Sequence, residues 1–284
     1  MRGRVGQGLM LRLKDVCFSY DRPGSSKAVL KDIDLRVEAG EFLAVIGPTG
    51  SGKSTLLLHF NGLLKPNVGQ VLYQGQDIHR KGFDLRGLRR EVGLLFQFPE
   101  GNLFGQTVYE DVSYGPANYG ISGKALDRVV EAALQLAGLE AGFLLRSPFT
   151  LSGGEKRKVA LAGVLALEPK VLLLDEPTAG LDPAARENFL NLLKGLNSQG
   201  ITVIAITHDL EEVSRVAGRV VILAEGQVLA DGPVREVLTR EDLEKWELET
   251  PEVIRLGKAL NLNVEGLPVI FEEEAVKTIL AGRG

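Results

Sequence analysis

Cysteine is almost missing from this chain: Cys17 is the single one in 284 residues, so neither an intramolecular disulfide nor a cysteine cage for zinc can form. Standing between Val16 and Phe18, Cys17 itself reads as a small buried apolar residue. Long hydrophobic runs are missing too. The longest, Val159 to Leu167, is closed by Lys158 and Glu168, well short of the 18 or so residues that cross a bilayer. Met1-Arg-Gly-Arg-Val-Gly-Gln-Gly8 carries charge but no apolar stretch after it of secretory length, so a cytoplasmic chain is expected. Nor is there an excess of positive charge. With 33 basic and 37 acidic side chains the net charge is −4, which argues against a protein held mainly by nucleic-acid phosphates. What is present is ordinary globular material, 44% hydrophobic and 25% charged, enough for one large domain or two modest ones.

The pattern along the chain alternates strands with helices. Strand-like stretches at 11–20 and 29–37 are broken by the turn-rich Asp21-Arg-Pro-Gly-Ser-Ser26. A short apolar run, 41–46, ends in a glycine loop, and a periodic segment follows from Lys53 to Leu64: strand, loop, helix. Val171-Leu-Leu-Leu174 and Thr202-Val-Ile-Ala-Ile206 read as buried strands, and helices are expected at about 124–138, 153–167, 184–198 and 209–217. Residues 220–223 and 227–230 form a hairpin whose Gly226 supplies a positive φ. Such alternation predicts an α/β layer with a largely parallel sheet. Beyond about residue 238 a short extension is expected. It carries one helix opened by Thr250-Pro251, with Val253, Leu256 and Leu260 on one face, and a second opened by Glu272-Glu-Glu274.

Gly47-Pro-Thr-Gly-Ser-Gly-Lys-Ser54 fits the phosphate-loop pattern in its required setting, after a strand and opening a helix. Its glycines let backbone N–H groups curl around phosphate oxygens, Lys53 reaches the β- and γ-phosphates, and Ser54 binds Mg²⁺. Val171-Leu-Leu-Leu-Asp-Glu-Pro177 supplies a carboxylate for the Mg²⁺ shell at a strand end, Asp175, and a second for polarising water as general base, Glu176. Because it precedes Pro177, Glu176 is expected to be extended. His208 ends the next apolar strand, at the carboxyl edge where open α/β sheets bind ligands, and a γ-phosphate contact is its expected role. Gln97, between Phe96 and Phe98, is an amide needing partners, which the nucleotide's metal or water would provide. Leu151-Ser-Gly-Gly-Glu155 opens a helix and forms a further anion-binding start.

The order of these motifs, with Leu181-Asp182 between Glu176 and His208, resembles that of ATP-binding-cassette (ABC) ATPases over about residues 9–235. The resemblance implies a P-loop ABC nucleotide-binding domain, residues 1–238. It comprises a RecA-like mixed sheet core, an antiparallel β subdomain and a helical subdomain at about 98–168. A small α-helical extension, 239–284, would add contact between ATPases. It further implies two domains sandwiching two ATP molecules head to tail, with Mg²⁺. Gly47, Pro48, Thr49, Gly50, Ser51, Gly52, Lys53, Ser54, Thr55, Gln97 and Asp175 would then hold ATP, and Tyr20, closing the first strand, would stack on adenine. Lys53, Gln97, Glu176 and His208 would serve catalysis, and Ser54, Gln97 and Asp175 the metal. Leu151, Ser152, Gly153, Gly154, Glu155 and Asp182 would reach the nucleotide of the partner.

Gln97-Phe-Pro-Glu-Gly-Asn-Leu-Phe104 is similar to the segment after the glutamine in energising ATPases of energy-coupling-factor (ECF) transporters, with Asn102 where Gln is usual. That resemblance implies a peripheral protein on the cytoplasmic face of the cell membrane. It would pair with a second ABC ATPase, the same or a sister subunit, and drive a transmembrane scaffold holding a small membrane subunit that binds vitamins or transition-metal ions. Glu100, Glu110 and Asp111 are candidates to meet the scaffold's arginines. The alternatives are a conventional ABC importer ATPase for ions or amino acids, and a soluble ABC ATPase acting on nucleic acid or ribosomes. The second is disfavoured by the short interval between Lys53 and Ser152, which leaves little room for a coiled-coil arm, and no nucleic acid is expected as a partner. The basic cluster of His79, Arg80, Lys81, Arg86, Arg89 and Arg90 reads as a solvated face.

Overall fold

Alternation of apolar and polar residues makes one half-buried antiparallel layer of β1 (Leu9–Phe18) and β2 (Leu30–Glu38) in a computed structural model that describes residues 8–20, 28–240, 242–249, 255, 256 and 259. Within β1 the pairing slips between Leu13 and Val16, where Asp15 takes a φ of 50°, so Lys14 and Asp15 both face outward and Val16 returns inward. Cys17 follows on the outer side. It is only partly buried, and its thiol hydrogen-bonds Asp32 Oδ1 at 3.1 Å, which corrects the reading of a buried apolar residue.

The next strand, β3 (Phe42–Ile46), is apolar on both faces and enters a second sheet, followed by α1 (Lys53–Phe60). The sequence pattern carried this helix to Leu64. It stops earlier because Gly62 turns left-handed (φ 68°) and the amides of Leu63 and Leu64 both fold back to the carbonyl of Leu58. Then β4 (Val68–Tyr73) and β5 (Gln76–Asp77) complete the first layer in the order β2-β1-β4-β5.

After α2 (Leu85–Glu91) and β6 (Val92–Leu95), the chain builds a helical layer from α3 (Val108–Asn118), α4 (Lys124–Leu136) and α5 (Gly153–Leu165). It returns through β7 (Val171–Asp175), α6 (Pro183–Ser198), β8 (Thr202–Ile206) and α7 (Leu210–Val216). The last elements are β9 (Arg219–Ala224), β10 (Gln227–Pro233) and α8 (Val234–Leu238). The second sheet has the order β10-β9-β3-β8-β7-β6, parallel except for its edge strand β10. The turn joining β9 to β10 has positive φ at both Glu225 and Gly226, the requirement of a two-residue type I′ hairpin.

Side chains of the central strands divide the core. Leu43, Val45, Leu173 and Ile204 face α1 and the antiparallel layer, while Leu172, Leu174, Val203 and Ala205 face the helical layer and α6. The proposed C-terminal helices at about 251–260 and 272–280 lie outside the described residues, apart from Arg255, Leu256 and Ala259, as does the turn at 21–26.

A charged side chain is buried between layers. Arg157 of α5 is 1% exposed; its Nη1 donates to the carbonyls of Pro177 (2.8 Å) and Ala179 (2.9 Å), and its Nη2 meets Glu100 at 2.8 and 2.9 Å. Removing one partner of a buried pair costs about 3–5 kcal/mol. Since Arg157 keeps two carbonyls, Glu100→Ala is expected to lower unfolding free energy by about 3 kcal/mol, the lower end of that range, with denaturant titration as the measurement.

Candidate active site

Directly after β3 the chain must turn under another strand. At Gly47 (φ 149°) a Cβ would lie 1.9 Å from the carbonyl oxygen of Leu223, so no side chain fits. The loop then delivers α1 with Gly52 as its left-handed N-cap and no side-chain cap, leaving first-turn amides directed into the loop. Ser51 Oγ is buried there without a hydrogen-bond partner, and Lys53 Nζ donates to the loop's own carbonyls, Gly47 (2.8 Å) and Pro48 (2.9 Å). Burial holds the Lys53 amine below its ordinary pKa, opposed by the charges of Glu176 and Asp175. A ring of donors around an orphaned hydroxyl and an ammonium fits a polyphosphate.

Around this loop, β7 and β8 end at the same sheet edge. Ser54, Gln97, Asp175, Glu176 and His208 line one open cleft of about 500 Å³ with Lys53. Ser54, Gln97 and Asp175 offer hard oxygen donors, the set that suits Mg²⁺ beside phosphates. Gln97 is exposed at the cleft. Glu176 departs from the extended geometry expected before proline: its φ is +46°, and its N–H donates to the carbonyl of Ile206 at 3.0 Å. This left-handed turn aims its carboxylate at His208, whose Nδ1 lies 3.0 Å from both oxygens. The imidazole is largely exposed and the carboxylate is not, at 75% against 14%. Tyr20 sits two residues past β1, not within it; its ring packs edge-on against Phe18, and its hydroxyl meets Thr55 Oγ1 at 3.1 Å.

Leu151, Ser152, Gly153, Gly154, Glu155 and Asp182 do not line this cleft. They form two separate helix starts. Ser152 caps α5 in a reciprocal box with Glu155, whose Oε2 accepts from Ser152 N (2.8 Å) and Ser152 Oγ (2.7 Å), and Asp182 caps α6 through the amide of Ala185.

The three acids proposed for scaffold arginines are already engaged: Glu100 by Arg157, Asp111 by the amides of Phe104 and Gly105 (3.0 Å each), and Glu110 by the amide of Gln106 (2.7 Å). Beside them the exposed surface is aromatic: Phe104 and Tyr114, each more than half exposed, pack edge to face at 5.0 Å, and Phe104 lines a small groove with Leu103 and Val164. The basic cluster is likewise engaged in part, Arg86 and Arg90 lying over the Tyr119 ring and Arg89 donating to the carbonyl of Gly62.

Sequence reasoning missed two buried charges close to the cleft, Arg157 and Glu212. Glu212 of α7 is 5% exposed, and its Oε2 accepts hydroxyls from Thr178 (2.7 Å) and Thr207 (3.2 Å), with Arg186 Nε 3.4 Å from Oε1. Burial pushes its carboxyl pKa up, against the pull of the Thr178 hydroxyl. The only signal in the sequence was its place one turn beyond His208.

A family model described as ABC transporter matches residues 30–179. The chain is 45% identical to the energy-coupling factor transporter ATP-binding protein EcfA2 of Symbiobacterium thermophilum, over 92% of this chain and 94% of that one. It is 44% identical to the EcfA2 of Bacillus subtilis, over 90% and 95%. Among solved structures, cbiO1 from Clostridium perfringens, part of the ABC transporter complex cbiONQ, superposes with a TM-score of 0.76 at 36% identity, covering 88% of this chain and 99% of that one. The dimeric ATP-binding cassette MJ0796 bound to ADP and Pi superposes with a TM-score of 0.71 at 33% identity, covering 79% and 99%.

The Gly47 contact carries a direct test. Gly47→Ala is expected to displace the loop and weaken binding of a fluorescent ATP analogue by roughly tenfold or more, each ~1.4 kcal/mol of lost binding being one decade. An unchanged titration curve would show that the loop tolerates the methyl group.

Proposed function

The chain belongs to the ABC transporter family, among the ATP-hydrolysing subunits that energise energy-coupling factor importers, and we propose that two ATPase subunits close head to tail over two ATP molecules to do so. One observation carries this reading: a phosphate loop, metal-ligand oxygens and a carboxylate–imidazole pair share one cleft, while Leu151–Glu155 and Asp182 stand outside it. The helix starts that would complete the anion site are thus left for the nucleotide of a second ATPase subunit, the same or a sister chain.

Each residue then has a defined task. The loop amides of Gly47–Thr55 and the Lys53 amine take the phosphates, and the Tyr20 ring stacks on adenine. Ser54, Gln97 and Asp175 hold Mg²⁺, which neutralises charge on the phosphate oxygens. Glu176 accepts a proton from the attacking water, its carboxylate steered by its left-handed backbone, and His208 contacts the γ-phosphate once nucleotide is bound. Ser152 and Gly154 offer a hydroxyl and helix-start amides to the phosphate held by the opposing ATPase subunit, the same or a sister chain, where electrostatic positioning supplies most of the acceleration.

The chain works at the cytoplasmic face of the membrane. Among its described residues no helix is long and apolar enough to cross a bilayer, so attachment comes through a transmembrane scaffold that holds a small substrate-binding membrane subunit. The docking surface joins the exposed rings of Phe104 and Tyr114, 5.0 Å apart, to the neighbouring acids Glu100, Glu110 and Asp111, which are themselves hydrogen-bonded within the chain.

Glu176→Gln keeps the shape of the site but removes the base. It is expected to cut turnover by about 100-fold or more while ATP binding and ATP-dependent dimers persist, read by phosphate release and light scattering. Normal turnover in that variant would overturn the assignment of the base. Gentle solubilisation of native membranes and mass spectrometry of what co-purifies tests the transport reading. A scaffold with small membrane binders is the expected result, and a permease pair with a separate binding protein would move the chain to conventional import.

A further inference from the structure

We infer that Glu212 is a positioning residue for the Glu176–His208 pair, fastening together through the Thr178 and Thr207 hydroxyls the two loops that carry the pair. The strands β7 and β8 are held by backbone pairing only as far as Asp175 and Ile206, with one more bond from Glu176 N to Ile206 O. Past that rung no backbone bond joins the two segments among the described residues, yet both functional side chains sit beyond or at it. The Glu212 carboxylate takes over there. A single oxygen accepts from Thr178, two residues after Glu176, at 2.7 Å and from Thr207, immediately before His208, at 3.2 Å.

All three side chains are buried, Glu212 at 5%, Thr178 at 3% and Thr207 at 5% exposure, so water does not compete for these bonds. The loop after Glu176 is gripped from its other side by Arg157, on the carbonyls of Pro177 and Ala179. Glu176 needs such a grip, because a non-glycine residue at φ +46° persists only where its surroundings impose it. Glu212 does not line the cleft and touches neither nucleotide nor metal positions directly. Its influence runs through Thr178 and Thr207, and Arg186, paired with Asp209 at 3.0 Å and Glu212 at 3.4 Å, ties the same carboxylate to α6.

This inference rests on the assignment of Glu176 and His208 to hydrolysis, and the test separates the two. In the full-length chain, Glu212→Ala is expected to lower kcat about 10–100-fold with affinity for ATP within about twofold, the signature of a misplaced but intact site. Glu212→Gln retains a carbonyl oxygen for both hydroxyls and is expected to restore kcat to within about fivefold. Thr207→Val, which deletes one hydroxyl at nearly constant volume, should show the same kcat loss if the alanine variant does not fold. Hydrogen exchange of the nucleotide-free proteins gives a second readout: amides at 176–179 and 207–209 should exchange faster in Glu212→Ala and Thr207→Val but not in Glu212→Gln. Unchanged kcat per folded molecule in Glu212→Ala and Thr207→Val, a loss confined to ATP affinity, or a glutamine variant as impaired as alanine would overturn the inference. An inactive wild-type chain would count against the hydrolase assignment instead, and the exchange comparison would still decide the role of Glu212.

Discussion

Everything in this molecule depends on three parallel strands that are buried on both faces and end together. Pairing of Val45 with Ile206 and of Asp175 with Ile206 brings β3, β8 and β7 to a common carboxyl edge. Because their side chains are consumed by packing above and below, the chain has only the strand ends at which to place polar chemistry. The phosphate loop and Glu176 start directly past those ends, Asp175 is the last residue of β7, and His208 stands two residues beyond β8. The antiparallel layer and the helical layer cover the two faces, while Tyr20 comes in two residues past β1 and Gln97 two residues past the edge strand β6.

How much of this could be read beforehand divides along a physical line. The phosphate loop, Asp175 and His208 were legible because each is a local statement: an apolar strand that stops, followed by a residue type with one chemical use. The fold class followed from the same alternation. Two local readings failed where one residue's backbone departed from its preference. Asp15 adds a bulge that leaves Cys17 on the outer face, and Glu176 turns left-handed despite the proline after it. Long-range pairs were invisible for another reason. Arg157 and Glu100 are 57 residues apart, and Thr178 and Glu212 are 34 apart. Nothing in the spacing of charges told that Arg157 and Glu212 would be the buried ones, or that Glu100 would pair with Arg157. Glu100, placed in the sequence as a candidate for scaffold arginines, is held by Arg157 of its own chain while its side chain stays 26% exposed.

The two buried charges also explain why the site can be open and still well defined. The cleft is lined by residues from separated segments, and an open cleft gives them little mutual packing. Their placement is enforced from beneath, by Arg157 reaching the carbonyls of Pro177 and Ala179 and by Glu212 reaching the hydroxyls on either side of the pair. Buried ionic groups add little to net stability, but their directional bonds fix geometry in a way apolar contacts do not.

The reciprocal cap at Ser152 has one more consequence. In the single chain the α5 helix start already has a resident anion: the Glu155 carboxylate occupies the Ser152 amide and takes the only hydroxyl proton of Ser152, and these bonds hold its pKa below the usual glutamate range. An incoming phosphate therefore faces a tethered competitor whose effective concentration does not fall with dilution. In the proposed closure, a phosphate reaching this helix start from a second subunit has to displace the carboxylate from the Ser152 hydroxyl, so capping the helix and gripping the nucleotide exclude one another at that one oxygen.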